Sequence, residues 1–330
     1  MSETILVTGG AGYIGSHAVL ALKSAGYNVV VLDNLSTGHA WAVPDDVPLA
    51  EGDVGDGGFV TQVLREHSVD GVMHFAGSIL VPESVVDPLK YYHNNTAASR
   101  NLIAAAVDCG VRAFVFSSTA AVYGMPGVGQ INEDTPKQPI NPYGSSKLMT
   151  EQVLRDVGVA HDLHYGILRY FNVAGADPEG RTGQSTPEAT HLIKVAAEVA
   201  TGQRAKMEIY GEDYDTPDGT CIRDYIHVSD LADAHILVMR HLLGNGDSVV
   251  FNCGYGHGYS VREVIAAVEA EANASVNASG APRRAGDPPQ LVADSSALRN
   301  ALPWQPRHQD LNVIVKTALD WEHKLAARTR

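Results

Sequence analysis

The N-terminal segment combines a short apolar run, a glycine-rich turn and a helical pattern, and this order constrains the fold more than any other feature. The run Thr4–Thr8 leads directly into Gly9-Gly-Ala-Gly-Tyr-Ile-Gly15, and a helical pattern continues through Ala25. In such a unit Gly9 permits a tight turn, Gly12 lets a pyrophosphate approach the backbone, and Gly15 allows the helix to pack closely. The helix N-terminus adds N–H groups and a positive dipole end. The segment therefore predicts a dinucleotide-binding βαβ unit.

A second strand places an acidic residue where an adenosine ribose would be bound. The apolar run in Asn28–Leu32 ends at Asp33, at the distance expected for a carboxylate that accepts hydrogen bonds from ribose hydroxyls. No Lys or Arg occurs between Lys23 and Arg65, so no nearby cation could neutralise a ribose 2′-phosphate, which Asp33 would repel. These residues predict NAD and not NADP. For the glycines taken alone, a turn without a ligand is the alternative.

Segments typical of strands alternate with segments typical of helices. A long helix is expected over Asp87–Cys109, and further strands are expected over Gly71–Phe75, Ala113–Ser117 and His164–Tyr170. The alternation predicts an α/β fold with a Rossmann-type, doubly wound parallel sheet that binds ligands at the carboxyl ends of its strands. We expect an NAD-binding Rossmann domain over 1–175 and a smaller C-terminal α/β substrate domain over 176–330, with 224–256 packing back on the first.

A tyrosine and a lysine four residues apart form the candidate acid/base group. Asn141 suits a helix N-cap and Pro142 the first helical position, so a helix should begin there. Tyr143 and Lys147 then share one helix face. A fixed ammonium beside the phenol would lower the pKa of Tyr143 and make it usable for proton transfer. An exposed pair without function is the alternative for the two residues alone.

Composition excludes several other classes of function. The formal net charge of −14 argues against a surface for nucleic acids or anionic membranes. The cysteines Cys109, Cys221 and Cys253 are odd in number and widely spaced, which favours free thiols in a reducing, cytoplasmic setting. We expect neither a signal peptide nor a membrane span. His161 and His164 lack a third ligand at metal-site spacing, so no metal site is expected.

Several further segments resemble one family in their order and spacing. The chain resembles the extended short-chain dehydrogenases/reductases, and among them the UDP-sugar 4-epimerases. The resemblance runs from the first strand to about Trp321. It rests on Thr8–Gly15, Asp33–Ser36, His74–Gly77, Tyr123-Gly124, Tyr143 with Lys147, Arg169–Asn172, Arg223–Val228 and Arg283–Asp287.

This resemblance implies roles for individual residues. The catalytic residues would be Thr119, Tyr143 and Lys147, where Thr119 replaces the usual serine and keeps its hydroxyl. NAD would be bound by Gly9, Gly12, Tyr13, Ile14, Gly15, Asp33, Asn34, Asp53, Val54, Phe75, Ala76, Gly77, Asn95, Ser117, Tyr143, Lys147 and Tyr170. The UDP-sugar would be bound by Thr119, Tyr143, Asn172, His191, Leu192, Tyr210, Arg223, Arg284, Asp287 and Leu291.

The reaction implied is the interconversion of UDP-galactose and UDP-glucose. A transient 4-keto sugar would form as NAD takes a hydride from C4 and returns it to the other face. The resemblance also implies a homodimer, paired through helices Asp87–Cys109 and Pro142–Val157. We expect the first of these helices to present its apolar residues Leu89, Tyr92, Ala97, Leu102, Ile103 and Ala106 to the partner.

Other reactions of the same family are the alternatives. Ile79, His191 and Leu291 differ from residues frequent in the family, and these differences leave open another UDP-sugar, whether an N-acetylhexosamine, a pentose or a uronic acid. A sugar-nucleotide 4,6-dehydratase needs an acid pair after the active-site threonine, whereas Ala120 and Ala121 follow Thr119. A non-catalytic NAD-binding regulator would not require Thr119, Tyr143 and Lys147 together.

Overall fold

The computed structural model describes residues 2–127, 129–186, 189–284 and 286–328. The strands are β1 (Thr4–Thr8), β2 (Asn28–Asp33), β3 (Leu49–Glu51), β4 (Gly71–His74), β5 (Ala113–Thr119), β6 (Gln130–Ile131), β7 (His164–Tyr170), β8 (Asn172–Ala174), β9 (Met207–Tyr210), β10 (Ile222–Arg223), β11 (Tyr225–His227), β12 (Val249–Cys253), β13 (Tyr259–Ser260), β14 (Ala278–Ala281) and β15 (Gln290–Ala293). The α-helices are α1 (Tyr13–Ser24), α2 (Gly57–Glu66), α3 (Val81–Val86), α4 (Pro88–Tyr91), α5 (Ala98–Asp108), α6 (Pro142–Ala160), α7 (Leu192–Ala200), α8 (Val228–Leu243), α9 (Val261–Ala272), α10 (Ser296–Ala301) and α11 (Leu311–Arg328).

A seven-stranded parallel sheet in the order β12-β7-β5-β4-β1-β2-β3 organises the molecule. Helices cover both of its faces: α1 and α8 pack with Ile5 and Val7 of β1, while α2, α5 and α6 pack with Leu6 of the same strand. Because both faces are covered, the central strands are apolar and lack a polar alternation. The predicted doubly wound α/β fold is confirmed.

The remaining elements form a second layer of structure around a separate core. Helices α7, α9 and α11 enclose this core together with the parallel pair β9 and β14. A small sheet in the order β13-β10-β15-β6 lies beside it. Strand β12 pairs with β7 and so extends the large sheet. The division into two binding domains at residue 175 stays a prediction.

The region expected to be one long helix has a more complex form. Helix α4 runs into a π-helical stretch, Tyr92–Ala97, before α5 begins. Leu102, Ile103 and Ala106 pack in the protein's own core and are almost fully buried. Their assignment to a dimer surface is therefore wrong, because the face of α5 that carries them covers the sheet. Among the described residues, no helix is long and apolar enough to cross a membrane.

The turn after β1 generates a prediction about stability. A Cβ added to Gly15 would lie 2.1 Å from the carbonyl oxygen of Gly9. We expect Gly15→Ala to destabilise the protein by about 1–3 kcal/mol despite the better helix propensity of alanine. Gly57, at the start of α2, is the matched control, because outside its chain neighbours and its own helix backbone no atom lies within 4 Å of its added Cβ. In urea, the free energy of unfolding of Gly57→Ala should equal or exceed that of the wild type. Equal stability of Gly57→Ala and Gly15→Ala would contradict this account.

Candidate functional site

The glycine turn between β1 and α1 forms a cradle that side chains would fill. Gly9 has φ +71°, and a Cβ there would lie 2.6 Å from the backbone nitrogen of Ala76. The Gly12 N–H donates to Gly9 O over 3.1 Å, and Gly12 is the N-cap of α1 without a side-chain cap. The N-terminal N–H groups of α1 thus follow a turn of bare backbone. This arrangement fits a dinucleotide pyrophosphate.

Asp33, at the end of β2, is tied to the same turn. Its carboxylate accepts hydrogen bonds from the N–H groups of Ala11 (2.9 Å) and Leu35 (2.8 Å). A carboxylate has about four lone-pair sites, so these two bonds leave capacity for ribose hydroxyls. Asn34 Nδ2 donates to Asp53 Oδ2 over 3.0 Å, which places two more of the expected cofactor residues together.

The segment after Asp33 also reaches the turn, which the sequence analysis missed. His39 N–H donates to Ala11 O over 2.9 Å, and a Cβ on Gly38 would lie 2.9 Å from the carbonyl carbon of Ala11. Thr37 shares a small hollow with Gly12 and Tyr13. The run of turn-forming residues Ser36-Thr37-Gly38 was the available signal in the sequence.

The π-helical stretch carries Asn95 into the site. Its side-chain oxygen accepts from Ser78 N–H over 2.7 Å, and its Nδ2 donates to Ser146 Oγ over 3.1 Å. A Cβ on Gly77 would lie 2.8 Å from Asn95 Oδ1 and 3.7 Å from Lys147 Nζ. π-Helical insertions are frequent at functional sites because they re-aim a side chain. Here the insertion brings Asn95, Gly77 and Lys147 together.

Tyr143 lies at the start of α6, opposite the end of β5. Asn141 caps this helix as expected, since its Oδ1 accepts from Gly144 N–H over 2.8 Å. Although part of the Tyr143 side chain is exposed, burial around its hydroxyl raises the pKa of Tyr143, and a hydrogen bond with Thr119 lowers it by less. The expectation that Lys147 pulls this pKa below its ordinary value is wrong here, because the penalty for burying a phenolate is larger.

Lys147 contacts the backbone of β5. Its Nζ donates to Ser117 O over 3.1 Å and lies 4.9 Å from the centre of the Phe116 ring. Burial lowers the pKa of Lys147 to about 8. The hydroxyls of Ser117 and Tyr170 are hydrogen-bonded to each other. Ser117, Thr119, Tyr143, Lys147 and Tyr170 therefore meet at the carboxyl ends of β5 and β7.

The residues expected to hold a diphosphate lie on β10 and the segment before β15. Arg223 Nη2 donates to Asp287 Oδ1 over 2.5 Å, and the Arg223 side chain is about 10% exposed. Leu291 is paired in register with Arg223. It packs against the small cluster that contains Ala120 and Tyr123. Leu291 thus connects this arginine to the segment that follows Thr119.

A neighbouring cavity gathers three other expected substrate residues, Asn172, His191 and Leu192. Gln184 Nε2 and His191 Nδ1 lie 2.8 Å apart, and burial lowers the pKa of His191. The Arg284 guanidinium lies 3.8 Å from the centre of the Tyr210 ring. Ala285, within the Arg283–Asp287 segment, lies outside the described residues.

The side chains of four expected cofactor residues make contacts within the protein. The Tyr13 hydroxyl donates to Gly175 O over 2.6 Å, and the Phe75 ring packs 4.8 Å from that of His235. Ile14 packs against one core cluster and Val54 belongs to another. Within the described ranges, no group of three His, Cys, Asp or Glu residues could hold a metal ion.

Comparisons with known proteins agree with this geometry. Residues 5–254 match the model of the NAD dependent epimerase/dehydratase family. The chain is 60% identical over 324 residues to the UDP-glucose 4-epimerase of Azospirillum brasilense, covering 98% of this chain and 93% of that protein.

Two solved structures are also similar over nearly their whole length. The UDP-glucose 4-epimerase of Brucella ovis in complex with NAD has 44% identity and a TM-score of 0.94, covering 97% of this chain and 98% of that one. The UDP-Glc/GlcNAc 4-epimerase of Campylobacter jejuni has 48% identity and a TM-score of 0.86, covering 98% and 100%. On these grounds the chain belongs to the NAD dependent epimerase/dehydratase family.

Proposed function

We propose that the protein is an NAD-dependent isomerase that interconverts UDP-galactose and UDP-glucose, the UDP-glucose 4-epimerase reaction. The observation that carries the proposal is the convergence of Thr119, Tyr143 and Lys147 at the carboxyl end of β5, beside the glycine cradle. A proton-transfer group therefore lies next to a dinucleotide site. The similarity to UDP-glucose 4-epimerases supports the same assignment.

The cofactor is NAD, which supplies reversible hydride transfer at C4 of the sugar when bound. The bare turn from Gly9 to Gly15 would receive its pyrophosphate, and Asp33 would accept hydrogen bonds from the adenosine ribose. Asn34 and Asp53, which are hydrogen-bonded to each other, would lie beside the adenosine portion. The opposite end of the dinucleotide would reach Asn95 and Ser117.

Tyr143 is the group that would remove and restore the proton of the C4 hydroxyl. Its hydrogen bond with Thr119 lowers the pKa of Tyr143 against the effect of burial. Thr119 would also bond the C4 oxygen, so that phenol and sugar share one hydroxyl partner. Lys147 would bind the ribose next to the nicotinamide. Its Nζ also donates to Ser117 O and so fixes the end of β5.

The uridine diphosphate would be the anchored part of the substrate. Arg223 and Arg284 present guanidinium groups that match diphosphate oxygens, and Asp287 orients Arg223. Asn172, His191 and Leu192 would line the adjoining part of the site. Binding energy placed on the uridine diphosphate leaves the sugar free to present either face, which a 4-epimerase requires.

Turnover without added cofactor tests this function. Purified protein should convert UDP-galactose to UDP-glucose with no NAD supplied, because NAD should remain bound through purification. Tyr143→Phe deletes one oxygen, keeps the ring and the bound NAD, and should lower kcat by about 10²–10⁴-fold. Product analysis by chromatography measures both rates. More than about a tenth of the wild-type rate in Tyr143→Phe would mean that another group moves the proton.

The preferred sugar is a finer proposal that depends on Leu291. Many family members have a bulky tyrosine at this position, so we infer a roomier pocket that also accepts UDP-N-acetylglucosamine. The similar Campylobacter protein is named for both sugars.

A substitution at Leu291 separates the two substrates. Discrimination by pocket size amounts to about 1–3 kcal/mol per group, so Leu291→Tyr should lower kcat/KM for the N-acetylated sugar by about tenfold or more relative to UDP-galactose. Steady-state kinetics with both substrates gives this ratio. Leu298→Met, in a buried position of α10, is the control. An unchanged ratio in Leu291→Tyr would show that Leu291 is not the gate.

A homodimer forms part of the proposal. A hollow between the π-helical stretch and α6 is lined by Tyr92, Thr96, Ala97, Arg100, Asn101, Met149 and Val153. Met149 is 47% exposed and Leu89 is 78% exposed, and exposed apolar side chains that form a patch are typical of an interaction surface. A second copy of the same face would cover them.

Light scattering after gel filtration tests the dimer. Wild type should have twice the mass of the chain at micromolar concentration. Met149→Asp should shift the protein towards monomer because it buries a charge in the shared face. Val313→Asp, at a part-exposed apolar position on α11, should remain dimeric. A monomeric wild type, or an unaffected Met149→Asp, would contradict the proposed surface.

The proposal also assigns regions of the chain. Residues 1–175 would bind NAD, and residues 176–330 would bind the UDP-sugar. Residues 224–256 would pack back on the NAD-binding part, which the pairing of β12 with β7 supports. A cytoplasmic location is proposed from the three free cysteines, which suit a reducing compartment.

A further inference from the structure

Helix α6 packs on the sheet through a face that is mostly polar. Its buried residues are Gly144, Ser146, Lys147, Thr150, Glu151 and Leu154, of which only Leu154 is a large apolar side chain. Such a helix is not held in place by apolar packing alone, so its position depends on specific hydrogen bonds.

The buried face of α6 contacts three consecutive residues of β5. Tyr143, Lys147 and Glu151 are spaced four apart and share one helix face. Lys147 Nζ donates to Ser117 O over 3.1 Å, and Ser118 Oγ donates to Glu151 Oε1 over 2.6 Å. Tyr143 faces Thr119, whose hydroxyl lowers the pKa of Tyr143. The Ser118–Glu151 bond lies behind the catalytic groups and involves neither the substrate nor the cofactor.

Arg169 completes this attachment from the neighbouring strand. It is paired in register with Ser118 across β5 and β7, and both side chains reach the same carboxylate. Arg169 Nε donates to Glu151 Oε1 over 2.9 Å and Nη2 donates to Oε2 over 2.5 Å. The Arg169 and Glu151 side chains are each about 1% exposed. The Glu151 carboxylate therefore forms a bidentate ion pair with the Arg169 guanidinium, which fixes its orientation.

The network continues to β12, the edge strand of the large sheet next to β7. Arg169 Nη1 donates to the Tyr123 hydroxyl over 3.0 Å, which donates to Asn252 Oδ1 of β12 over 2.6 Å. Tyr123 follows Thr119 in the short 3₁₀ helix Ala120–Tyr123. The Arg169 guanidinium thus binds both Glu151 and Tyr123, and through Tyr123 it holds the segment after Thr119.

We infer that Ser118 and Arg169, acting through Glu151, are positioning residues that set helix α6 against β5 so that the Tyr143 phenol meets the Thr119 hydroxyl. The inference rests on the proposed function and adds to it residues that touch neither sugar nor cofactor. A displacement of about 1 Å at a reacting group can cost on the order of 10²-fold in rate. A role in folding alone would lower stability and leave the site's chemistry unchanged.

Ser118→Ala tests the inference with a small change. It removes one hydroxyl and leaves the Arg169–Glu151 ion pair in place, so the protein should fold. Ser295→Ala is the matched control, because Ser295 is also buried and donates one bond, to Gly254 O over 2.9 Å. Ser295 Oγ also accepts from Arg299 Nε over 3.3 Å, and none of these three residues is assigned to the site. Ser118→Cys keeps the side-chain shape with a larger and weaker donor and should lie between wild type and alanine.

The expected result separates positioning from stability. Ser118→Ala should lower kcat for UDP-galactose about 10- to 100-fold with KM within about twofold and NAD still bound. Ser295→Ala should change the melting temperature by a similar amount and keep the wild-type kcat. Wild-type kcat in Ser118→Ala, or an equal loss of kcat in Ser295→Ala, would overturn the inference.

The pH profile gives a second readout. Because the Thr119 bond lowers the pKa of Tyr143, loosening it should move the rise of kcat to higher pH. The other titratable groups around Tyr143 are Lys147 on α6, Tyr91 on α4 at a ring distance of 6.4 Å, and Tyr170 on β7. None of them is altered by Ser118→Ala. An unshifted profile together with an unchanged kcat counts against the inference.

The two proposals can fail separately. If wild type does not convert UDP-galactose, the proposed function fails, and the positioning is then judged from ultraviolet titration of Tyr143, taken as the difference from Tyr143→Phe. A higher pKa of Tyr143 in Ser118→Ala than in wild type supports positioning by Ser118. Equal pKa values would overturn it.

Discussion

The attachment of helix α6 to the carboxyl end of β5 is the constraint on which the rest of the site depends. The helix supplies Tyr143 and Lys147, and the strand supplies Ser117 and Thr119. Since the buried face of the helix is largely polar, its position is fixed by directional bonds that fail when geometry changes by fractions of an ångström. The same helix holds the π-helical stretch, because Thr150 Oγ1 donates to the carbonyl oxygen of Asn95 over 2.7 Å.

Burial sets the electrostatics of this site more strongly than neighbouring charges do. It raises the pKa of Tyr143 and lowers that of Lys147 to about 8, so both shifts favour the neutral forms. Specific hydrogen bonds act against this background, and the one from Thr119 is the interaction that makes a phenolate more accessible. Burial would also keep water away from the sugar C4, which would protect a reactive keto group from side reactions.

Local chemistry made some parts of the molecule predictable from the sequence. The glycine turn, the position of Asp33 at the end of β2 and the Asn141 cap each follow from one short segment, and the structure has them as expected. The effect of Lys147 on Tyr143 could not be predicted, because the balance of burial against charge depends on the whole fold. The burial of Leu102 depended on which helix face meets the sheet, which sequence periodicity alone does not decide. Glu151 lies one helical turn beyond Lys147, yet its partner Arg169 becomes visible only when β5 and β7 are paired.

The central claim is that Tyr143 exchanges only the hydroxyl proton while the hydrogen on C4 stays inside the site. UDP-galactose deuterated at C4, converted in ordinary water and analysed by mass spectrometry and NMR, tests this directly. The account predicts UDP-glucose that retains deuterium at C4 at full occupancy and carries none elsewhere. Loss of the label to solvent, or its appearance at another carbon, would contradict it.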